Sequence, residues 1–272
     1  EAEAEAKAGA EAREAVEAKA KGWWVEAREA AAVAPAAGPP YKPTLSHFFA
    51  LVAQKRGQLL RMFTQNVDGL DHACGLDEDR VVNIHGTMAK VACELCGAPA
   101  DAQRFRESVR AQVRDIEGKD ADAPSESSAV VCPVCGRAGL KPTTVLYGGR
   151  LPDRFSQRAA VDLPATELLI VVGSSLGVAP ANEVVQMVRE GCPRLVCNRE
   201  RVGEELGIEY EEDRTRDDVF DDRNCDETLA ELAVRAGWIY DLAEYRPLMC
   251  ESSVRVLDAA LRDCPMVVHC RS

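Results

Sequence analysis

The stretch ELLIVVGSSLGVAPANEVVQMV, Glu167 to Val188, decides the fold. Its first half is a continuous aliphatic run, the pattern of a strand covered on both faces, as parallel sheets require. The run stops at Gly173-Ser174-Ser175 and gives way to apolar residues at helical spacing, so a strand, a turn and a helix follow one another. The alternation recurs on either side. TLSHFFALVAQKRG (Thr44–Gly57) reads as an amphipathic helix and LLRMFTQN (Leu59–Asn66) as a buried strand, while PRLVCNRE (Pro193–Glu200) reads as a strand and ETLAELAVRAGW (Glu227–Trp238) as a helix. Strands alternating with helices predict an α/β protein with a parallel sheet covered on both faces.

In such sheets ligands bind beyond the carboxyl ends of the strands. Gly173, Ser174 and Ser175 stand at one such end, where backbone N–H groups and hydroxyls at a helix N-terminus suit a phosphate; small residues also occur there for steric reasons alone. A second end carries Asn198-Arg199-Glu200, where a carboxylate either binds a ribose hydroxyl or is ordinary surface charge. A third, TQNVD (Thr64–Asp68), crowds Gln65, Asn66 and Asp68 together. Such side chains are costly to bury without partners, so they form either a satisfied network or a site for a ligand.

Four of the eleven cysteines stand apart as two knuckles, Cys93-x-x-Cys96 in CELCG and Cys132-x-x-Cys135 in CPVCG. A two-residue gap lets both thiolates of a pair face one ion while the following Gly permits the tight turn, and four thiolates close a tetrahedral structural zinc site. Redox chemistry is the alternative use of the motif. Cys74, Cys192, Cys197, Cys250, Cys264 and Cys270 lack a partner pattern and read as small apolar residues.

At 272 residues, 46% hydrophobic and 29% charged, the chain suits one large or two smaller domains with a real core. A net charge of −12 argues against direct nucleic-acid binding, which needs a basic surface. No apolar run approaches a membrane span and no signal peptide is visible, so no membrane partner is expected. With cysteines in odd number and no export signal, a reducing intracellular compartment, cytoplasmic or nuclear, is expected. Because the chain starts at Glu1 rather than Met, a fragment or processed form is allowed for.

Taken in order, TQNVDGLDHACGLDEDRVVNIHGT, the two knuckles, KPTTVLYGGRLP, VVGSSLGVAP, CNRE and CDETLAELAVRAGW resemble the sirtuin family of NAD-dependent protein-lysine deacylases, from about Trp23 to Trp238. The resemblance implies a Rossmann-like parallel sheet with an inserted small zinc-binding module. It divides the chain into an Ala/Glu-rich helical segment and linker (1–40), a first Rossmann-like part (41–92), the zinc module (93–141), a second Rossmann-like part (142–243) and a C-terminal tail (244–272). The knuckles stand further apart than is usual in the family, which places the polar insert DIEGKDADAPSESS (Asp115–Ser128) in a surface loop.

The resemblance also implies site roles. Gln65, Asn66 and Asp68 match the pocket for the nicotinamide end of NAD, with Asn66 needed for catalysis. His85, in NIHGT, matches the family's base; the chemistry requires removal of a proton from a ribose hydroxyl, and imidazole titrates near neutral pH. Gly173, Ser174 and Ser175 match the turn near the NAD phosphates, Asn198 and Glu200 the adenosine-ribose contacts, and Cys225 a position facing the adenine. Val145, Leu146, Tyr147 and Gly148 match the segment on which an acyl-lysine protein substrate pairs as a β-strand. Cys93, Cys96, Cys132 and Cys135 match the zinc ligands. Cofactors implied are NAD and zinc.

Two departures matter. Gly149 stands where the family usually has Glu. The family's Gly-Ala-Gly-x-Ser phosphate turn and the strand before it are missing, since only the Ala/Glu repeat precedes Gly22. Two readings follow: a deacylase represented by an incomplete catalytic domain, or a catalytically inactive sirtuin-like zinc-containing binding module. The ending VVHC, which stops short of a cysteine-phosphatase loop, reads as a buried strand end.

Overall fold

The computed structural model describes residues 41–210 and 217–264. The Ala/Glu repeat, where the first strand and phosphate turn are expected to be missing, and the terminal VVHC both lie outside the described residues. In chain order the elements are α1 (Leu45–Lys55), β1 (Met62–Thr64), α2 (Leu70–Ala73), β2 (Val81–Asn83), β3 (Val91–Cys93), β4 (Pro99–Ala100), α3 (Ala102–Gln112), β5 (Leu140–Pro142), α4 (Asp153–Asp162), β6 (Leu169–Val172), α5 (Val184–Met187), β7 (Arg194–Cys197), β8 (Asp218–Asp221), α6 (Cys225–Ala236), α7 (Ile239–Ala243) and α8 (Glu251–Asp263).

These elements form two compact units, one of residues 87–144 and the other of 41–86 with 145–264. In the larger unit every strand pairing is parallel: β1 with β2, and β7 between β6 and β8. Among the described residues the parallel strands thus make a two-stranded and a three-stranded sheet. Beside them α1, α6, α7 and α8 pack through Leu45, Phe48, Val52, Leu229, Ala233, Leu242 and Leu257. The α6 helix has matched ends. Asn224 caps it by accepting from the Asp226 N–H, and Gly237, with φ of 73°, closes it in the left-handed conformation. Residues 251–263, within the segment set apart as a tail, form α8, and Ser253 and Leu257 are fully buried.

The quoted stretch that decided the fold departs from expectation in one respect. No helix starts at Ser175. Residues 176–180 are irregular, a 3-10 turn covers Ala181–Glu183, and α5 is a single turn. Leu176 adopts a left-handed φ of 51° and is buried against Val171 and Val185, so the apolar pattern after the turn seats a loop rather than continuing a helix.

The smaller unit is an antiparallel sheet, ordered β4-β3-β5, covered by α3. Phe105 and Val109 of α3 pack on Val91 and Leu140, and the knuckle residues Cys93 and Cys132 are buried in the same cluster. Asp115–Ser128 forms an irregular, mostly exposed loop, as expected of a run with so little to bury.

Candidate functional site

Parallel pairing puts strand ends of like polarity together, and this builds the first site. Beyond the carboxyl ends of β6, β7 and β8 lies a cavity of about 450 Å³ lined by Gly173, Ser175, Asn198, Glu200 and Cys225, with Arg199, Val202, Arg223 and Asn224. It brings together five of the six residues assigned from sequence to the phosphate and adenosine end; Ser174 is not in its lining. The hydroxyls of Ser174 and Ser175 accept locally from the N–H groups of Leu176 (3.2 Å) and Gly177 (3.4 Å).

The rim is held by local bonds. The Asn198 N–H donates to Asp221 O at 3.1 Å, and its side-chain amide donates to Glu200 O at 2.9 Å. The Cys225 thiol donates to Cys197 O at 3.3 Å, and burial raises the pKa of both thiols, that of Cys197 to about 12, which favours the protonated form. Arg223 is a further residue at the rim that no sequence motif singles out. It grips Asp221 through Nε (2.9 Å) and Glu231 through a second nitrogen (2.6 Å), and its hydrogen bonds hold the Asp221 carboxyl down at about 2.

At the smaller parallel sheet, β1 and β2 pair Thr64 with Asn83, and the Ile84 N–H donates to Thr64 O at 2.9 Å. That register sends Gln65 and Asn66 off the same sheet end as His85. Asn66 and Asp68 are exposed and Gln65 and His85 half-buried. The Thr64 hydroxyl accepts from the Asn66 N–H (3.1 Å), and Asp68 accepts from the Leu70 N–H (2.9 Å). The peptide-segment candidate also attaches here, because the Val145 N–H donates to His85 O at 2.8 Å. Tyr147 is 99% exposed and Gly148 is exposed beside it. Gly149 has a physical reason: a Cβ there would lie 2.8 Å from Leu146 O, the atom its own N–H bonds. A Glu cannot occupy this turn as it stands.

In the smaller unit the four knuckle sulfurs lie within 4.8 Å of one another, with Cys93 to Cys135 at 3.7 Å and Cys96 to Cys132 at 3.8 Å. Sulfurs about 2.3 Å from a tetrahedral zinc ion stand about 3.8 Å apart, so the set fits that metal. Gly97 and Gly136, with φ of 73° and 69°, return their N–H groups to Cys93 O and Cys132 O at 2.8 Å, which forms each knuckle. The N–H of Arg137 helps hold the Cys135 thiol down at about 6, favouring the thiolate that a metal needs.

A parallel α/β unit with a cavity at its strand ends, and a four-cysteine module, define a nucleotide-binding type of fold with an inserted metal module. The chain belongs to the Sir2 family, whose model matches residues 7–180. It is similar to NAD-dependent deacetylase sir2D of Dictyostelium discoideum, 32% identical over 200 residues, 73% of this chain and 32% of that protein. NAD-dependent protein deacetylase hst2-2 of Emericella nidulans is 33% identical over 206 residues, 74% of this chain and 51% of that one. NAD-dependent protein deacetylase sirtuin-2 of Danio rerio is 29% identical over 216 residues, 75% and 53%. The chain thus spans about a third to a half of the length of these relatives. No helix among the described residues is long and apolar enough to cross a membrane.

Proposed function

We propose that this chain carries out NAD-dependent removal of acyl groups from protein lysines, with zinc held by Cys93, Cys96, Cys132 and Cys135 as a structural ion. The observation that supports it most is the strand-end cavity, in which Gly173, Ser175, Asn198, Glu200 and Cys225 meet although the sequence spreads them over fifty residues. Glu200 and Asn198 offer an acceptor and a donor to ribose hydroxyls, and the small residues of the Gly173 turn let phosphate oxygens approach the backbone.

NAD supplies the leaving nicotinamide and the ribose that accepts the acyl group. Gln65, Asn66 and Asp68 orient the nicotinamide end, with Asn66 fixed through its backbone to Thr64. His85 takes the proton of a ribose hydroxyl onto an imidazole nitrogen; its ring makes no hydrogen bond to another described residue and is free to accept one. Val145 to Gly148 receive the acyl-lysine strand by main-chain pairing, a mode suited to varied protein sequences. The chain acts inside the cell, in cytoplasm or nucleus, where its unpaired thiols stay reduced.

The test uses the native full-length protein with NAD and an acetyl-lysine peptide, following nicotinamide release. His85→Ala is expected to lower kcat at least a hundredfold while metal content and peptide binding persist. Undiminished turnover by that variant refutes the role of His85. Absence of turnover by the native protein across several acyl groups replaces the enzyme with the binding-module alternative.

A further inference from the structure

The Asp71 carboxylate is fully buried, and neither of its oxygens makes a hydrogen bond. Asp71 is the second residue of α2, shortly after the loop that carries Gln65, Asn66 and Asp68. Such a group costs stability wherever it is charged, so its surroundings need an account. Facing it is His47 of α1, 12% exposed, with Nε2 3.6 Å from Asp71 Oδ1. The Thr44 N–H donates to His47 Nδ1 at 3.1 Å, and the Thr44 hydroxyl lies 2.8 Å from the same atom. A backbone N–H can only donate, so Nδ1 is an acceptor and the ring proton sits on Nε2, on the side of the carboxyl.

The loop is clamped around this pair. The Thr64 hydroxyl holds the Asn66 N–H, and Asp68 fixes the N–H of Leu70, the residue before Asp71. The Cys74 thiol donates to Asp71 O at 3.0 Å and lies 3.7 Å from His47 O, which ties α2 to α1. Movements of Asp71 therefore reach the loop through Leu70 and the Asp68 side chain that holds its N–H.

We propose that His47 and Asp71 are a buried positioning pair that sets the conformation of the Gln65–Asp68 loop, an inference that rests on the proposed function of that loop. With the carboxylate charged, a shift of well under 1 Å brings the Nε2–H into a charge-assisted bond that draws α1, the loop and α2 together. With the carboxyl protonated, that attraction is lost. Burial pushes Asp71 above the usual carboxylate range, with Asp68 adding to the effect and His47, His72 and the Thr64 hydroxyl opposing it. The neighbouring titratable groups are thus His47 on α1, Asp68 in the loop, and His72 and Cys74 on or beside α2.

A carboxyl raised in the folded state keeps its proton longer, so stability is lost as pH rises from the unfolded value, about 4, through the folded one. Asp71→Asn removes the buried charge, and its melting temperature is expected to gain on the native protein as pH rises. Function goes the other way: kcat for nicotinamide release is expected to fall about tenfold with the peptide KM unchanged, and the acid limb of the pH profile is expected to shift.

The experiment measures those two profiles and the exchange protection of the Asn66 amide in full-length native, Asp71→Asn and His47→Gln proteins. Protection at Asn66 is expected to drop at least fivefold in both variants, with α6 amides unchanged. Unchanged Asn66 protection, or an Asp71→Asn protein less stable than native at every pH, overturns the pair as a positioning device. Turnover by the native protein with identical variant profiles removes the pair and leaves the enzyme. Native protein without turnover, but with Asn66 protection lost in both variants, keeps the pair and removes the enzyme.

Discussion

Asp218→Ala offers a direct test of what joins β7 and β8 at their amino ends. Arg194 and Asp218 open β7 and β8 and are register partners, 1% and 0% exposed at their side chains. Arg194 donates through Nε and a terminal nitrogen to both Asp218 oxygens (2.7 and 2.5 Å), and to the carbonyls of Val185 (3.0 Å) and Gly207 (2.6 Å); Asp218 also accepts from the Glu209 N–H at 2.8 Å. Removing the carboxylate leaves a buried guanidinium whose charge nothing offsets, a change that costs about 3 to 5 kcal/mol. The orphaned Glu209 amide adds about 1 to 3. At roughly 2 to 4 °C per kcal/mol for a unit of this size, melting should fall on the order of 10 to 30 °C. Urea unfolding and calorimetry would measure it, alongside the double variant Arg194→Met/Asp218→Leu. That variant keeps volume and removes both charges, so it should cost less than about 2 kcal/mol. A loss below about 1 kcal/mol for Asp218→Ala, or a double variant as unstable as the single one, would refute the reasoning.

Metal analysis of the reduced, chelator-free protein should give about one zinc per chain, and Cys93→Ser should lower both metal content and stability, because binding is linked to folding; protein with no metal contradicts the four-thiolate site. Gly149→Glu should raise hydrogen exchange across residues 145–150, since its Cβ would press on Leu146 O at 2.8 Å; an unaltered exchange pattern would mean the turn adapts. The Asp221 carboxyl is depressed to about 2 by Arg223, so the stability it contributes is present above the unfolded value near 4 and lost as pH falls towards about 2. Arg223→Gln should flatten that acid limb in thermal melts, and an identical limb would show that the pair contributes nothing measurable.

The sequence made the strands and helices legible because aliphatic runs and amphipathic spacing are local signals. The knuckles were legible for the same reason: two residues of separation within each pair and a Gly after it already specify convergent thiolates. Strand-end residues such as Asn198 and Glu200 could be placed because parallel pairing leaves little choice about where a strand points. Arg223 was hidden. It stands in DDRNCD, a charge run that reads as solvated surface, and its partner Glu231 lies two turns into α6. The loop after Ser175 is hidden from the sequence because Leu176, Val184 and Val185 keep helical spacing, yet Leu176 is buried from a left-handed backbone that periodicity does not encode. The same limit conceals Arg194 and Asp218, whose burial depends on a register formed across 24 residues.

Behind the cavity the same logic reaches the C-terminal helix. Asn224 and Cys225 line the cavity, and the next residue, Asp226, points the other way, 8% exposed. One of its oxygens accepts from the Ser46 N–H (3.0 Å) and hydroxyl (2.6 Å), and the other from the Ser253 hydroxyl (2.5 Å), which itself accepts from the Leu45 N–H at 3.0 Å. Three helices, α1, α6 and α8, thus meet at one carboxylate directly behind the cavity wall. Around it these helices meet largely through Leu, Ala, Val and Phe side chains, which attract without direction and tolerate sliding. A satisfied polar junction does not tolerate it, because each bond lost leaves a buried group without a partner. It follows that α8, beyond the stretch matched by the family model, fixes the register of α6 and so the position of Cys225 and Asn224 at the cavity.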